Sequence, residues 1–214
     1  KNLELQWVFQ ALSLEKFEAT PIVVDGVLYT VQAPNDIVAI DATTGRTFWT
    51  YSFKPSPQAR LCCGRVNRGL AILGDALFMG TIDGHLLSLD ARSGRVLWNV
   101  QVAGARPEAG YNITVAPLVV KDKIIVGPAG ADYGIRGFIA AFDPGPGKEL
   151  WRFNTVAGPG EVHVDSLLDA QRFDLVLRAR HQGLAQQRRQ VEAEIQRRRQ
   201  ALVEANREVQ VLEK

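Results

Sequence analysis

Short apolar runs separated by turn residues dominate the chain up to about residue 160. The runs lie at 26–30 and 37–40, at 76–80 and 86–89, and at 123–127 and 138–142. Runs of this length, rich in Val, Ile, Leu and Phe and bounded by Gly, Asp and Thr, are typical of β-strands joined by tight turns. The pattern therefore predicts a mainly β segment built from three similar units.

The three units carry the same landmarks at nearly constant spacing. Each has an aspartate, then a glycine four residues later, then a tryptophan eight residues after the aspartate: Asp41, Gly45 and Trp49; Asp90, Gly94 and Trp98; Asp143, Gly147 and Trp151. In such a turn the Asp side chain accepts hydrogen bonds from the backbone and the Gly adopts a positive φ. A period near 50 residues with several short strands per repeat indicates a β-propeller.

The repeats also predict how far this architecture extends. We expect the tryptophans to pack between neighbouring blades rather than to take part in chemistry. A propeller closes with ~4–8 blades. About three blades therefore predict a partial propeller that belongs to a larger ring.

The character of the chain changes after Gly158-Pro159-Gly160, which we take as a domain boundary. Residues 161–214 contain one glycine, no proline and no tryptophan, and they are rich in both basic and acidic residues. A seven-residue register places apolar residues at two seam positions: Leu177, Leu184, Val191, Ala205 and Leu212 at one, Ile195, Leu202 and Val209 at the other. This pattern predicts a long α-helical coiled-coil tail, either one helix or two broken near Gly183.

Composition and charge limit the functional classes. The formal net charge is +2, and the basic residues of the tail alternate with acids, so neither favours nucleic-acid binding. The sequence has no apolar stretch of the ~18–20 residues that a membrane span needs.

The only two cysteines, Cys62 and Cys63, are adjacent. Neighbouring Cα atoms lie about 3.8 Å apart, below the roughly 4.4–6.8 Å usual for a disulfide. A bridge between them would be a strained ring, of a kind normally retained for a functional reason. The alternative is a pair of small buried apolar residues. The pair by itself leaves both alternatives open.

Four motifs, together with the Trp repeats, resemble the N-terminal part of the pyrroloquinoline-quinone-dependent alcohol dehydrogenases, a family of eight-bladed propeller quinoproteins. The motifs are Glu18-Ala19-Thr20-Pro21, Ala33-Pro34-Asn35-Asp36, the run from Cys62 to Gly69, and the run from Gly127 to Phe138. The resemblance covers residues 1 to about 160, and it implies that the aligned part of a full family member is well under half of its length.

The resemblance implies a role for particular residues. Cys62 and Cys63 would form a vicinal disulfide stacked on the quinone. Arg68 would pair with a cofactor carboxylate, and Glu18 and Thr114 would form hydrogen bonds with the cofactor. The backbone of Ala129, Gly130 and Ala131 would approach the cofactor closely. Asp132 would bind Ca²⁺ (or a lanthanide, as in some members), where the family has a glutamate one methylene longer.

The same resemblance implies a periplasmic enzyme that oxidises a primary alcohol to an aldehyde and passes electrons to cytochrome c or another quinone-linked acceptor. The family's catalytic base, its asparagine metal ligand and a second stacking tryptophan align downstream of this sequence. No catalytic residue is therefore assigned here, and we expect the chain alone to be inactive.

Residues 165–214 more weakly resemble a coiled-coil protein of the flagellar export apparatus. This supports an alternative: a non-catalytic propeller and coiled-coil interaction protein, or a fusion with a flagellar export component, that binds a helical partner or self-associates. A third hypothesis is a propeller of the kind found in outer-membrane insertion machinery, but such a protein has no need of Cys62-Cys63 or Arg68.

Overall fold

A computed structural model describes residues 3–61, 64–104, 107–158, 175, 177, 178 and 180–200. The chain divides into two compact units, Lys1–Ala157 and Gly158–Lys214. The described part of the first unit is β-sheet with two short 3₁₀ helices, Pro107–Ala109 and Ala131–Tyr133. In the second unit the described residues after Gly158 are helical.

The first unit contains three antiparallel sheets of four strands each, and in every sheet the strands lie in sequence order. The first sheet is β1 (Ile22–Val24), β2 (Val27–Gln32), β3 (Asp36–Asp41) and β4 (Thr47–Ser52). The second is β5 (Ala71–Leu73), β6 (Ala76–Gly80), β7 (His85–Asp90) and β8 (Val96–Gln101). The third is β9 (Leu118–Val120), β10 (Lys123–Val126), β11 (Phe138–Phe142) and β12 (Glu149–Asn154). The predicted mainly β, propeller-like architecture is confirmed.

Two apolar clusters hold the sheets face to face. One joins the first and second sheets and includes the fully buried Ile37, Leu77 and Leu87. The other joins the second and third sheets and includes the fully buried Phe78 and Ile124. Each cluster uses side chains that alternate along its strands, because successive strand residues point to opposite faces. The middle sheet is therefore buried on both faces.

Each repeat closes its last hairpin with the aspartate turn. In the second repeat, the Gly94 backbone N–H donates to the Asp90 carbonyl oxygen at 2.8 Å. The Asp90 carboxylate accepts from the Ser93 backbone N–H at 2.8 Å and from the Ser93 hydroxyl at 2.6 Å. Gly94 has φ +71°, a value that favours glycine. The predicted role of the aspartate and the glycine in this turn is confirmed.

Trp49 and Trp98 dock onto the turn of the next repeat. The Trp49 indole N–H donates to the Ala91 carbonyl oxygen at 3.1 Å, and a Cβ on Gly94 would lie 2.6 Å from the Trp49 ring. Trp98 makes the same arrangement with Pro144 at 2.9 Å and with Gly147. The glycine is therefore required both by the turn and by the ring that lies on it.

A fourth tryptophan, which the repeat analysis missed, docks in the same way. The Trp7 indole N–H donates to the Ala42 carbonyl oxygen at 3.0 Å, and a Cβ on Gly45 would lie 2.8 Å from the ring. Trp7 belongs to a segment without strand structure. The apolar periodicity of the repeats therefore did not predict its docking, although the sequence contains the tryptophan.

The helical unit is described mainly by residues 180–200, which form a continuous helix through Gly183. Its surface carries ion pairs between Arg188 and Glu192 at 2.8 Å and between Arg198 and Glu194 at 2.9 Å. These exposed i,i+4 pairs stabilise a helix only slightly. A long coiled-coil tail over 161–214 stays a prediction, because much of that range lies outside the described residues. None of the described helical residues belongs to a helix long and apolar enough to cross a membrane.

We predict that Gly94→Ala destabilises the first unit by more than the turn conformation alone explains. The substitution places a side chain at positive φ, which costs about 1–3 kcal/mol, and also forces it against the Trp49 ring. Gly74→Ala is the matched control, because Gly74 has φ +57° and open space around its Cβ position. Urea unfolding of both variants measures the difference, and equal losses would contradict an indole contact.

We also predict a depressed pKa for Asp90. Hydrogen bonds from the Ser93 side chain and backbone lower the pKa of this carboxyl below its ordinary value. Because the pKa of Asp90 is lower in the folded state, ionised Asp90 increases the free energy of unfolding at pH values above its unfolded-state pKa. This contribution is lost as pH falls through the folded-state pKa. Ser93→Ala should raise the Asp90 pKa in an NMR carboxyl titration and leave that of Asp41, in the equivalent turn, unchanged.

Candidate functional site

The backbone of Arg68 lies between two other segments of the first unit. The Arg68 N–H donates to the Thr114 carbonyl oxygen at 2.9 Å, and the Arg68 carbonyl oxygen accepts from the Thr20 N–H at 3.2 Å. Next to it, Gly69 has φ +126°, and a Cβ there would lie 2.9 Å from the Thr20 carbonyl oxygen. Three segments that are distant in sequence are thus held side by side by main-chain hydrogen bonds.

This pairing brings three of the predicted site residues together. An Arg68 guanidinium nitrogen lies 3.1 Å from a carboxylate oxygen of Glu18, and another donates to the Thr114 hydroxyl at 2.9 Å. The Arg68 side chain is 50% exposed and that of Glu18 is 37% exposed. A pair this open to solvent contributes only about 0–1 kcal/mol to stability. The cluster therefore leaves Arg68 accessible, with a guanidinium that carries five N–H donors.

Asn67 anchors the Arg68 segment from beneath. It is 1% exposed, its side-chain amide donates to the Gly80 carbonyl oxygen at 2.8 Å, and its side-chain oxygen accepts from the Gly69 N–H at 2.9 Å. The buried Asn35 amide reaches the same carbonyl oxygen at 3.4 Å. Both asparagines lie within the motifs that resemble the family, but the sequence alone indicated no role for them. In the sequence, each is a polar residue beside turn-forming or apolar residues. Such a residue can lie in a turn or be buried, and the sequence does not distinguish the two.

The segment from Ala129 to Asp132 is positioned by Asn112. The two backbones exchange hydrogen bonds, with Asn112 N–H to the Ala129 carbonyl oxygen at 3.1 Å and Ala129 N–H to the Asn112 carbonyl oxygen at 2.7 Å. Gly130 has φ +129°, and a Cβ there would collide with the Gly110 carbonyl oxygen. Because Asn112 is two residues before Thr114, the Ala129 segment is tied to the connecting segment that contacts Arg68.

Asp132 lies in the short 3₁₀ helix Ala131–Tyr133 and is exposed, as is Ala131. The next residue, Tyr133, has its ring under the Arg60 guanidinium, 4.8 Å from the ring centroid. Among the described residues there is no group of three or more His, Cys, Asp or Glu that would hold a metal ion. The described part of the chain thus offers Asp132 as a single carboxylate, a partial donor set at most.

Cys62 and Cys63 lie outside the described residues, so their predicted pairing stays a prediction. The residues beside them are described. The Arg60 carbonyl oxygen accepts from the Asn112 side-chain amide at 3.4 Å. The chain leading into the cysteine pair is therefore connected to the same asparagine that holds the Ala129 segment.

The fold and the cluster together define a propeller segment with an accessible arginine held between a carboxylate and a hydroxyl. Comparison with known proteins identifies the class. The family model described as "PQQ: Glucose/ethanol/alcohol dehydrogenase, beta-propeller domain" matches residues 1–172. The chain belongs to this family, and the predicted resemblance of its N-terminal part to quinoprotein alcohol dehydrogenases is confirmed.

Individual relatives are similar over the same region. The chain is 43% identical over 160 residues to the quinohemoprotein alcohol dehydrogenase ADH IIB of Pseudomonas putida, covering 74% of this chain and 23% of that protein. It is 42% identical over 166 residues to the 1-butanol dehydrogenase (cytochrome c) of Thauera butanivorans, covering 75% and 23%. Among solved structures, a europium-containing methanol dehydrogenase matches with a TM-score of 0.68 and 37% identity, over 76% of this chain and 29% of the other. The chain therefore spans about a quarter of the length of these relatives.

We predict that Asn67→Ala destabilises the first unit by about 2–3 kcal/mol, because it leaves the buried Gly69 N–H without its partner and removes the bond to Gly80. Asn99→Ala is the control, since Asn99 is exposed and its side chain contacts only His85 among the described hydrogen bonds. We expect that control to stay within about 0.5 kcal/mol of the parent chain. Urea unfolding checks both, and similar losses would argue against an anchoring role for Asn67.

Proposed function

We propose that residues 1–160 are the N-terminal part of a quinoprotein alcohol dehydrogenase that oxidises a primary alcohol to an aldehyde. The observation that carries the proposal is the cluster of Glu18, Arg68 and Thr114 within a propeller of the matching family. Residues 161–214 form a second domain, a helical coiled-coil segment. This division agrees in position with the change in composition at Gly158-Pro159-Gly160.

The residues present fit pyrroloquinoline quinone, which carries several carboxylates. Arg68 is accessible, and its planar guanidinium suits a two-pronged contact with a carboxylate. Thr114 and Glu18 lie within hydrogen-bonding distance of Arg68 and would orient the same ligand. The Ala129–Ala131 backbone, held by Asn112, would form another wall of the site.

When bound, the quinone accepts the two electrons and two protons that a primary alcohol loses on becoming an aldehyde. A Ca²⁺ or lanthanide ion would supply Lewis acidity, and Asp132 would be one of its ligands. The exposed carboxylate of Asp132 supports this assignment, and its side chain is one methylene shorter than the family's glutamate. The remaining ligands would have to come from outside the described residues.

The proposal extends to the surroundings of the enzyme. We infer a periplasmic protein whose Cys62 and Cys63 form a disulfide, since disulfides persist in oxidising compartments. The acceptor would be cytochrome c or another quinone-linked carrier, as the name of the Thauera butanivorans relative indicates for that protein. The identity of the alcohol depends on parts of the family's site that align beyond this sequence. We therefore expect no alcohol oxidation from these 214 residues alone.

Reconstitution with pyrroloquinoline quinone and Ca²⁺, followed by calorimetry and the cofactor's absorbance, tests the proposal. We expect saturable binding that Arg68→Ala weakens about 10- to 100-fold, because a charge-assisted hydrogen bond contributes about 1.5–3 kcal/mol. Arg92→Ala is the matched control, since it removes an arginine that is 82% exposed and paired only loosely with Asp75 at 3.5 Å. Omitting Ca²⁺, or substituting Asp132→Asn, separates the metal contribution from that of Arg68.

Two results would contradict the proposal. One is that the chain does not bind pyrroloquinoline quinone although its cooperative unfolding shows that it is well folded. The other is an equal loss of affinity in the Arg68→Ala and Arg92→Ala variants, which would indicate nonspecific attraction of an anion to a basic surface.

The second candidate function is a non-catalytic interaction protein, supported by the helical unit. Leu184, Val191 and Ile195 are 46–59% exposed on the described helix, as expected of a seam that packs against another helix. We infer that this segment pairs with a helical partner or with itself, in line with its weak resemblance to the flagellar export protein. Tight self-association without any affinity for the quinone would favour this function over the dehydrogenase.

A further inference from the structure

The short 3₁₀ helix that carries Asp132 has few backbone restraints of its own. The Tyr133 N–H donates to the Gly130 carbonyl oxygen at 2.9 Å, and the Gly134 N–H donates to the Ala131 carbonyl oxygen at 3.0 Å. Glycines at positive φ flank the turn, Gly130 at +129° and Gly134 at +67°. Because glycine is conformationally permissive and 3₁₀ hydrogen bonds have poor geometry, side-chain contacts are needed to fix this turn on the fold.

Tyr133 supplies those contacts. Of the three residues in the helix, Ala131 and Asp132 are exposed, and Tyr133 is half-buried. The Tyr133 ring lies on Gly110, where a Cβ would come within 2.7 Å of the ring Cγ. Gly110 has φ +87°, so both its backbone conformation and the space around it favour glycine. The ring therefore packs directly on main chain, as the indoles do on their turn glycines.

Arg60 contacts the same ring from another segment of the chain. Its guanidinium carbon lies 4.8 Å from the Tyr133 ring centroid, within the range of a cation–π contact. Among the described residues, the Arg60 guanidinium forms no ion pair with a carboxylate, so its removal leaves no acidic group without a partner. The contact joins the segment that contains Arg60 to the turn that carries Asp132.

One buried side chain holds both partners of the Tyr133 ring. The Asn112 amide nitrogen donates to the Gly110 carbonyl oxygen at 3.1 Å and to the Arg60 carbonyl oxygen at 3.4 Å. Asn112 is 4% exposed. The two segments that contact the ring are therefore fixed to each other independently of the ring. We call the contact of Tyr133 with Gly110 and Arg60 the Tyr133 clamp.

We propose that Arg60 and Tyr133 are positioning residues, which hold the turn of Asp132 in place for the metal ion of the proposed quinone site. The inference rests on the proposed function, in which Asp132 is a metal ligand. Among the described residues no hydrogen bond to the Asp132 carboxylate is found, so the turn sets its location. A ligand that is held in advance loses less conformational entropy on binding, and residues that orient a metal ligand increase metal affinity for this reason.

Calorimetric titration of the full chain with pyrroloquinoline quinone, with and without Ca²⁺, tests the proposal. The measured quantity is the factor by which Ca²⁺ tightens quinone binding. We expect Arg60→Ala to lower this factor about two- to fivefold, the range for an exposed cation–π contact. Tyr133→Leu removes the contacts with Arg60 and Gly110 together, and we expect a loss of about tenfold. Arg60→Ala should leave the affinity without Ca²⁺ unchanged, because Arg68 and Thr114 are held by other segments.

Two further variants separate the clamp from other effects of substitution. Tyr133→Phe keeps the aromatic face and should therefore retain the Ca²⁺ factor of the parent chain. Arg46→Ala is the matched control, because it removes a guanidinium that lies 5.9 Å from the Phe48 ring centroid in the hairpin of the first sheet. We expect it to leave the Ca²⁺ factor unchanged, since it removes the same kind of contact from a different turn.

Amide hydrogen exchange of the ligand-free chain gives a second readout, which needs neither quinone nor Ca²⁺. The Gly134 N–H is bonded within the turn of Asp132 and should exchange faster in Arg60→Ala and in Tyr133→Leu. The Gly94 N–H is bonded within the turn of the second sheet and should keep its exchange rate. Equal acceleration at both amides would assign the contact to general stability and overturn the positioning role.

Three binding results would also overturn the proposal. The first is a Ca²⁺ factor that stays the same in Arg60→Ala and Tyr133→Leu. The second is an equal fall in quinone affinity with and without Ca²⁺, and the third is a parent chain that binds the quinone without any response to Ca²⁺. A parent chain that binds no quinone contradicts the proposed function itself, and this inference with it, before any variant is compared.

Discussion

The contact between an indole and a turn glycine is the interaction on which the sheets of this protein depend. Each of Trp7, Trp49 and Trp98 reaches the turn of the following sheet, covers a glycine at positive φ and donates to a backbone carbonyl. The same glycine thus allows the tight turn and makes room for the indole that packs two sheets together. Antiparallel sheets of four strands bury little by themselves, so the clusters between them supply most of the apolar burial.

The cluster of Glu18, Arg68 and Thr114 depends on the packing of the sheets only indirectly. Glu18, Arg68 and Thr114 lie on connections rather than in strands, and main-chain bonds between Thr20, Arg68 and Thr114 hold those connections together. Beneath them, the buried asparagines satisfy the Gly80 carbonyl oxygen at the end of a central strand. Binding residues carried on loops over a rigid sheet are a common arrangement, because the scaffold determines where the loops can lie.

Much of the architecture was accessible from the sequence, and the parts that were not share a physical cause. The repeat of aspartate, glycine and tryptophan predicted three blades because turn geometry and strand alternation are local properties. Trp7 was missed because its segment forms no strand, and Asn67 because its side-chain amide bonds the Gly80 carbonyl oxygen 13 residues away, a contact that the fold brings about. For the tail, the heptad pattern predicts a seam, but a seam is an interaction between helices and the described helix is exposed along it.

The sequence by itself determined the class of this protein. The strand periodicity, the glycines at the turns and the motifs around Arg68 are local features that can be identified without the fold. Only the tertiary structure decided which residues meet. The approach of Glu18 and Thr114 to Arg68 spans 46 residues on one side and 50 on the other. The physical reason is that burial and long-range hydrogen bonds depend on which surfaces face each other, and that is a property of the assembled sheets.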